Sequence, residues 1–259
     1  MRFYIFNVTL HILSFHTMTN KTIGIILHGI KYNDTSYIVD IFTESFGRSS
    51  YIIKGMRTRR GNVNLGSFHP LAIIEFEATG KSSAQLKRIT EARLLYPLTS
   101  LPNNPLKTSI ALFLGEFLYH SLKEEGTNLP LFSYLTHSIQ WLDQCNDTNA
   151  SNFHLVFLMR LSRFLGLYPN IEGFQKGDFF DLQNAEFTHI RPTHAHILLP
   201  EEAALISILM RMNYETMHLF AMNRRQRMRC LEIINQYYRL HIPNFPTLRS
   251  LEVLQALFD

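Results

Sequence analysis

Short runs of alternating apolar and polar residues dominate the first part of this chain and predict β-strands. In the first run Ile23, Ile25 and Leu27 share one face. The predicted strands cover residues 22–30, 37–43, 49–53, 71–77 and 85–96. Their turns are short, and residues 44–48 contain the glycine that a hairpin needs. Because a closed barrel has no unpaired edge strand, we expect a five-stranded OB-fold barrel.

The pattern changes after residues 96–98, and apolar residues then recur every three or four positions. Prolines and asparagines at 101–105 separate the two patterns and supply residues that begin helices. The predicted helices cover residues 106–123, 131–144 and 153–165, resume from 201, and continue through 223–241 and 248–258. We therefore expect an α+β protein, with an OB domain at 18–98 and an all-helical domain at 99–259.

Residues 166–199 follow neither period, and they predict an irregular insertion or a small hairpin within the helical domain. The aromatic residues that would hold it together are Phe174, Phe179, Phe180 and Phe187. Three histidines also occur there: His189, His194 and His196. A structural zinc site needs four well-placed ligands, usually including cysteine, so we favour surface or packing roles for these histidines.

The first seventeen residues are apolar and superficially resemble a secretory signal. Asn7, His11 and His16 interrupt the apolar run, and no small-residue cleavage site follows it. The run is also too short and too interrupted to span a membrane. We expect that translation starts at Met18, or that residues 1–17 form a loose appendage outside the packed fold.

The charge of the chain is modestly positive, at +4 with a pI near 9.1, and it is unevenly distributed. Residues 18–96 hold eleven Lys and Arg against six Asp and Glu, so the predicted barrel is the basic part. The two cysteines, Cys145 and Cys230, are too few and too far apart for a disulfide framework. This cysteine usage favours a reducing compartment, most simply the cytoplasm.

A basic loop follows the third predicted strand. It carries Lys54, Arg57, Arg59 and Arg60 between two glycines. A basic loop of this kind suits the phosphate backbone of a nucleic acid, although a solvated turn without a partner remains the alternative. The barrel's aromatic residues, of which one or two would stack on bases, are Tyr32, Phe42, Phe46, Tyr51 and Phe68.

A second group of cations opens the long helix predicted at 223–241. Its members are Arg224, Arg225, Arg227 and Arg229. Cations at a helix N-terminus oppose the helix dipole, which indicates either an external anion or a solvated face whose arginine stems cover apolar surface. Elsewhere the sequence contains no nucleotide-binding glycine fingerprint, recognisable nucleophile, carboxylate pair or metal cluster. We therefore expect a protein that is not an enzyme and has no cofactor.

Two stretches resemble the bacterial recombination mediator family RecO: GIILHGIKYNDTSYIVDIFTESFGRSSYIIKGMR at 24–57 and YYRLHIPNFPTLRSLEVL at 237–254. The resemblance covers essentially residues 18–259. It implies an OB domain and a helical domain that bind single- and double-stranded DNA, without sequence preference and without covalent chemistry. It also implies annealing of complementary strands, a partner RecR, and loading of the recombinase RecA onto DNA coated by single-stranded DNA-binding protein. A nucleoid-associated cytoplasmic protein without membrane contact is expected.

The resemblance places the DNA surface on the basic loop and on neighbouring barrel cations, which are Lys31, Arg48, Lys81, Lys87 and Arg88. Many family members carry a four-cysteine zinc module where this chain has 167–199, and no cysteine occurs here, so we expect no zinc. For the acidic, apolar-ended tail of single-stranded DNA-binding protein, we predict a groove formed by Arg224–Arg229 with Leu231, Ile234 and Tyr238. Alternatives are an OB-fold interaction adaptor without a DNA role and a hydrolase with an unrecognised site.

Overall fold

The structure is a computed structural model that describes residues 20–54, 68–80 and 86–257. The expectations for residues 1–17, for Lys81 and for the loop residues Arg57, Arg59 and Arg60 lie outside this part of the chain. No helix within these ranges is long and apolar enough to cross a membrane.

Five strands form the closed barrel that the alternating pattern predicts. They are β1 (Asn20–Asn33), β2 (Ser36–Thr43), β3 (Gly47–Lys54), β4 (Ile73–Thr79) and β5 (Lys87–Leu94). Their order around the barrel is β1-β2-β3-β5-β4, and β4 returns to β1. All neighbours are antiparallel except β3 and β5, which pair in parallel and close the barrel. The OB-fold prediction is confirmed.

Strand β1 is buried on both of its faces because its alternate residues enter two different cores. Ile26 points into the barrel, where Tyr51 and Phe76 meet edge to face with ring centroids 5.0 Å apart. Ile25 and Leu27 point outward into the core of the helical domain. The predicted common face of Ile25 and Leu27 is therefore the face that packs against helices.

Seven helices follow the barrel in the described chain. They are α1 (Pro105–Ser121), α2 (Leu129–Gln144), α3 (Asp147–Ala150), α4 (Phe153–Phe164), α5 (Pro200–Arg211), α6 (Arg224–His241) and α7 (Ser250–Leu257). The side chains of Asn104 and Asn128 accept hydrogen bonds from the first turns of α1 and α2, and each of these helices has proline in its first turn. These residues begin helices because they satisfy or remove free backbone N–H groups.

Two glycines allow the barrel and the helical domain to approach closely. A Cβ atom on Gly115 of α1 would lie 3.0 Å from the carbonyl oxygen of Leu27. Gly47 has a φ of 64°, and a Cβ atom there would lie 2.4 Å from the backbone of Gly126. Phe42 of β2 extends the contact to Phe132 of α2, at a centroid distance of 6.2 Å. One continuous apolar core therefore joins the outer face of the barrel to the helices.

Two carboxylates, one on α2 and one on α1, bind the backbone of neighbouring segments in the helical domain. Asp143 accepts hydrogen bonds from three successive backbone N–H groups at residues 99–101, just before α1. Glu116 of α1 accepts from the backbone N–H groups of Arg249 and Ser250 and from the Ser250 hydroxyl, at the start of α7. Both carboxylates satisfy backbone donors that would otherwise lack partners.

The insertion between α4 and α5 contains a small sheet of β6 (Phe179–Asp181), β7 (Glu186–Thr188) and β8 (Ile197–Leu198), in the order β7-β6-β8. Phe180 is buried and meets Phe187 at a centroid distance of 5.0 Å, and Phe174 meets Phe187 at 4.5 Å. His189 and His194 each contact a carboxylate, Asp178 and Asp181 respectively. No cluster of three or more potential His, Cys, Asp or Glu ligands occurs among the described residues.

Candidate nucleic-acid interface

Two cations face outward from adjacent strands where β3 and β5 close the barrel. Ile52 of β3 is paired with Arg88 of β5. Because Ile53 and Ile89 point into the barrel core, the neighbouring Lys54 and Arg88 point to solvent. Both are exposed. The parallel pairing thus places on one surface two positive charges that are far apart in sequence.

Lys87 lies on the opposite face of β5 from Arg88 and contacts Phe46 of the β2–β3 turn. The Lys87 ammonium lies 4.9 Å from the centroid of the Phe46 ring, within the range of a cation–π contact. Phe46 is 40% exposed and Tyr32, at the β1–β2 turn, is 64% exposed, whereas Phe42 and Tyr51 are core residues. Phe46 and Tyr32 therefore present ring surface to solvent, as base stacking requires.

Arg48 was predicted to belong to the same surface, and the structure corrects this assignment. Its guanidinium lies 3.3 Å from the Asp40 carboxylate and 4.4 Å from the centroid of the Tyr119 ring, between the barrel and α1. Burial raises the pKa of Asp40, but its contacts with His28 and Ser50 and the charge of Arg48 outweigh burial and lower it. Arg48 therefore has an internal partner and stabilises the domain junction.

The remaining barrel cations differ in how far they are neutralised. Glu75 pairs with both Lys21 (3.2 Å) and Arg93 (2.5 Å), so β4 and β5 carry little net charge there. Lys31 pairs with Asp34 at 3.2 Å, but both side chains are largely exposed. Lys54, Lys87 and Arg88 form no ion pair with a described residue. These three are the cations that the described barrel leaves available to an external anion.

The cations at the start of α6 were predicted to bind an external anion or to lie in solvent, and two of them have internal partners. Arg229 donates to both carboxylate oxygens of Glu202 on α5, at 2.5 and 3.0 Å, and to Glu232 at 3.0 Å. Arg227 donates to the carbonyl oxygen of Met222. The helix start is satisfied by Asn223 and Gln226, which form a capping box. Arg224 and Arg225 are exposed.

The apolar half of the predicted partner groove is not open. Leu231, Ile234 and Tyr238 are all at most 1% exposed and belong to the helical core. The Tyr238 hydroxyl donates to the carbonyl oxygen of Leu158 on α4 at 2.8 Å, which fixes the ring in that core. The prediction of a tail-binding groove on this face of α6 is therefore wrong.

Sequence patterns did not indicate which cations would be neutralised, nor that Lys87 and Phe46 would meet. The partners Asp40 for Arg48 and Glu202 for Arg229 lie on other elements. Only the pairing of strands and the packing of helices bring them together. A weak signal existed for Arg48, because strands that pair across a short turn place opposite charges on the same face.

Comparisons with known proteins agree in both domains. Residues 18–98 match a family model described as "Recombination protein O N terminal", and residues 102–252 match one described as "Recombination protein O C terminal". The chain is 58% identical to "DNA repair protein RecO" of Phocaeicola vulgatus over 242 residues, covering 93% of this chain and all of that protein. Proteins of the same description from Bacteroides fragilis (57%) and Azobacteroides pseudotrichonymphae (40%) align with the same coverage.

Proposed function

This chain belongs to the recombination protein O (RecO) family of DNA repair proteins, and we propose that its barrel binds single- and double-stranded DNA without base preference. The main observation behind this proposal is that three cations near the β3–β5 closure form no ion pair with a described residue. They are Lys54, Lys87 and Arg88. Cations without a carboxylate partner can approach phosphates without first breaking an ion pair. Contacts to phosphates give affinity but carry no sequence information.

The basic loop extends this surface in the proposal. Arg57, Arg59 and Arg60 follow Lys54 within six positions of the sequence, and Lys81 lies between β4 and β5, so the proposal includes these four cations. The exposed rings of Phe46 and Tyr32 would stack on unpaired bases. A surface that neutralises the phosphate backbone and stacks a few bases on aromatic rings is suited to bind single-stranded DNA of any sequence.

On this basis the protein acts by binding rather than by catalysis. We infer that it anneals complementary strands, because screening the charge of two polyanions lets them approach each other. We also infer that it works with RecR and helps RecA load onto DNA coated by single-stranded DNA-binding protein. These partners follow from the family relationship, and the surfaces that bind them lie elsewhere than the buried face of α6.

The test is a triple variant that changes Lys54, Lys87 and Arg88 to Ala. Each cation that neutralises a phosphate releases counterions, with a slope of about 0.7 in log affinity against log salt on single strands. The variant should therefore bind a single-stranded oligonucleotide more weakly at low salt, with a slope flatter by about 2. The loss should be the same for different base sequences, and annealing should fall with binding.

A matched control changes three exposed cations outside the barrel, Lys176, Arg191 and Arg239, to Ala. It removes the same net charge but should leave the slope nearly unchanged. If both variants lose affinity equally, binding depends on net charge and the surface is not a site. If the wild type binds no DNA but captures protein partners, the adaptor function is correct instead.

A further inference from the structure

A small pocket in the helical domain is lined by three arginines. It lies between the end of α4, the end of α5 and α2, with a volume of about 270 Å³. Arg160 and Arg163 come from α4 and Arg211 from α5, and Tyr134 and Tyr168 form part of the wall. None of its lining residues belongs to the barrel. The pocket is thus separate from the surface proposed to bind DNA.

The three guanidinium groups are held by contacts that leave most of their hydrogen-bond donors free. Arg163 lies 4.3 Å from the centroid of the Tyr168 ring, and Arg160 lies 5.5 Å from that of Tyr214. The Nε atom of Arg211 donates to the carbonyl oxygen of Ser207 at 3.2 Å. Stacking occupies the face of a guanidinium, whereas its N–H donors lie in the plane of the group. The aromatic contacts therefore position the groups without consuming those donors.

No described residue neutralises these arginines. None of the three forms an ion pair within the described ranges, and none of the residues that line the pocket is acidic. Glu215 follows Tyr214, but it is exposed and does not line the pocket. Arg160 and Arg163 are also three positions apart on one helix, where like charges repel. A bound anion would offset this concentration of positive charge.

We propose that this pocket binds a phosphate monoester. At neutral pH a phosphate monoester carries a charge of about −1.5 to −2 on three acceptor oxygens, which matches three cationic donors. A carboxylate has one charge and two oxygens, and a single arginine can satisfy it bidentately. A phosphate diester within a nucleic-acid strand has only one charge. The monoester would come from a free nucleotide or from the phosphorylated end of a strand.

The test uses thymidine 5′-monophosphate as the probe and thymidine as its matched control, with the arginine Nε–Hε resonances observed by NMR. The monophosphate should shift the resonances of Arg160, Arg163 and Arg211, and thymidine should not. Changing Arg163 and Arg211, both exposed, to Gln should weaken monophosphate binding about tenfold or more, because hydrogen bonds between charged groups are lost. The control pair Arg191→Gln and Arg239→Gln should leave it unchanged.

Oligonucleotides that carry either a 5′-phosphate or a 5′-hydroxyl distinguish the two sources of the monoester, a strand end and a free nucleotide. A preference for the phosphorylated end that disappears in the Arg163→Gln, Arg211→Gln variant assigns the site to strand ends, and binding of the monophosphate alone assigns it to a free nucleotide. Equal effects of thymidine and its monophosphate would overturn the proposal. So would stronger binding of an acidic peptide than of the monophosphate. Because the probe contains no strand, failure of DNA binding by the barrel would not affect this test.

Discussion

Two groups of cations in this protein differ in availability: strand pairing brings the first together, whereas the second is dense in the sequence. Around the closure of the barrel, Lys54, Lys87 and Arg88 have no ion pair with a described residue. At the start of α6, Arg229 is bonded to two carboxylates and Arg227 to a backbone carbonyl. The charge of the first group is available to a ligand, whereas in the second group Arg229 helps to hold α6 against α5.

The difference arises from tertiary structure rather than from local sequence. Strand pairing places Lys54 and Arg88 together on a solvent-facing surface. Helix packing instead brings Glu202 of α5 to Arg229 of α6. A cluster of cations therefore indicates a binding surface only after the carboxylates of neighbouring elements have been located.

The largest effect is expected in the core beneath the α6 cations. Leu231→Ala should lower the free energy of unfolding by about 2–5 kcal/mol, because it removes a buried side chain and leaves a cavity. Denaturant unfolding measures this loss. Below the transition, the folded variant should bind DNA with wild-type affinity. A variant with normal stability would mean that this side chain is exposed, and the α6 groove would again be possible.

A smaller loss of stability is expected for the barrel cation with an internal partner. Arg48→Ala should cost about 1.5–3 kcal/mol, because it removes a charged hydrogen bond from a mostly buried carboxylate, Asp40. Lys54→Ala serves as the matched control and should leave stability within about 0.5 kcal/mol of wild type. If Lys54→Ala destabilises the fold and Arg48→Ala does not, the division between structural and available cations is reversed.

The smallest effect on stability is expected for the half-exposed ion pair between Glu202 of α5 and Arg229 of α6. Hydrogen bonds from Arg229 lower the pKa of Glu202 below its usual value of 4.5, while burial acts in the opposite direction. Since a lowered carboxyl pKa stabilises the folded state above the unfolded-state pKa, Arg229→Ala should cost about 1 kcal/mol or less at pH 7.

The pH dependence provides the check on that pair. The difference in unfolding free energy between wild type and Arg229→Ala should shrink as pH falls from about 4.5, where Glu202 of the unfolded chain becomes protonated, through the lowered pKa of Glu202 in the folded protein. Unfolding curves at pH 7, 5 and 3.5 measure it. A constant difference across this range would show that Arg229 stabilises the protein through packing of its stem instead.

The regular elements were predictable because their patterns are local. Apolar alternation located all five strands of the barrel, and it identified Ile25 and Leu27 as one face. Helical periodicity located the long helices, with ends displaced by a few residues. It missed α3 (Asp147–Ala150), since a single turn contains too few residues to show a period. The small sheet of the insertion was anticipated only as an irregular insertion or a small hairpin, because its third strand, β8, has two residues.

The candidate site was less predictable, because it depends on which side chains meet. The sequence identified Lys54, Lys87 and Arg88 as cations but gave only a weak signal that Arg48 differs from them, namely Asp40 on the neighbouring strand. It also assigned Leu231 and Tyr238 to a groove, because an amphipathic helix has an apolar face whether or not other helices cover that face. Distinguishing a core face from a docking face requires the packing of the whole domain.

The burial of β1 on both faces affects whether the barrel can be produced as a separate domain fragment. A fragment ending after β5 would keep all five strands and the interior of the barrel, and would appear to be a complete module. It would also expose the outward-facing side chains that α1 and α2 normally cover, which are Ile25, Leu27, Phe42 and Ile73. An apolar patch of that kind promotes self-association. A barrel fragment should therefore aggregate unless those positions are made polar, and α1 and α2 act as its permanent cover.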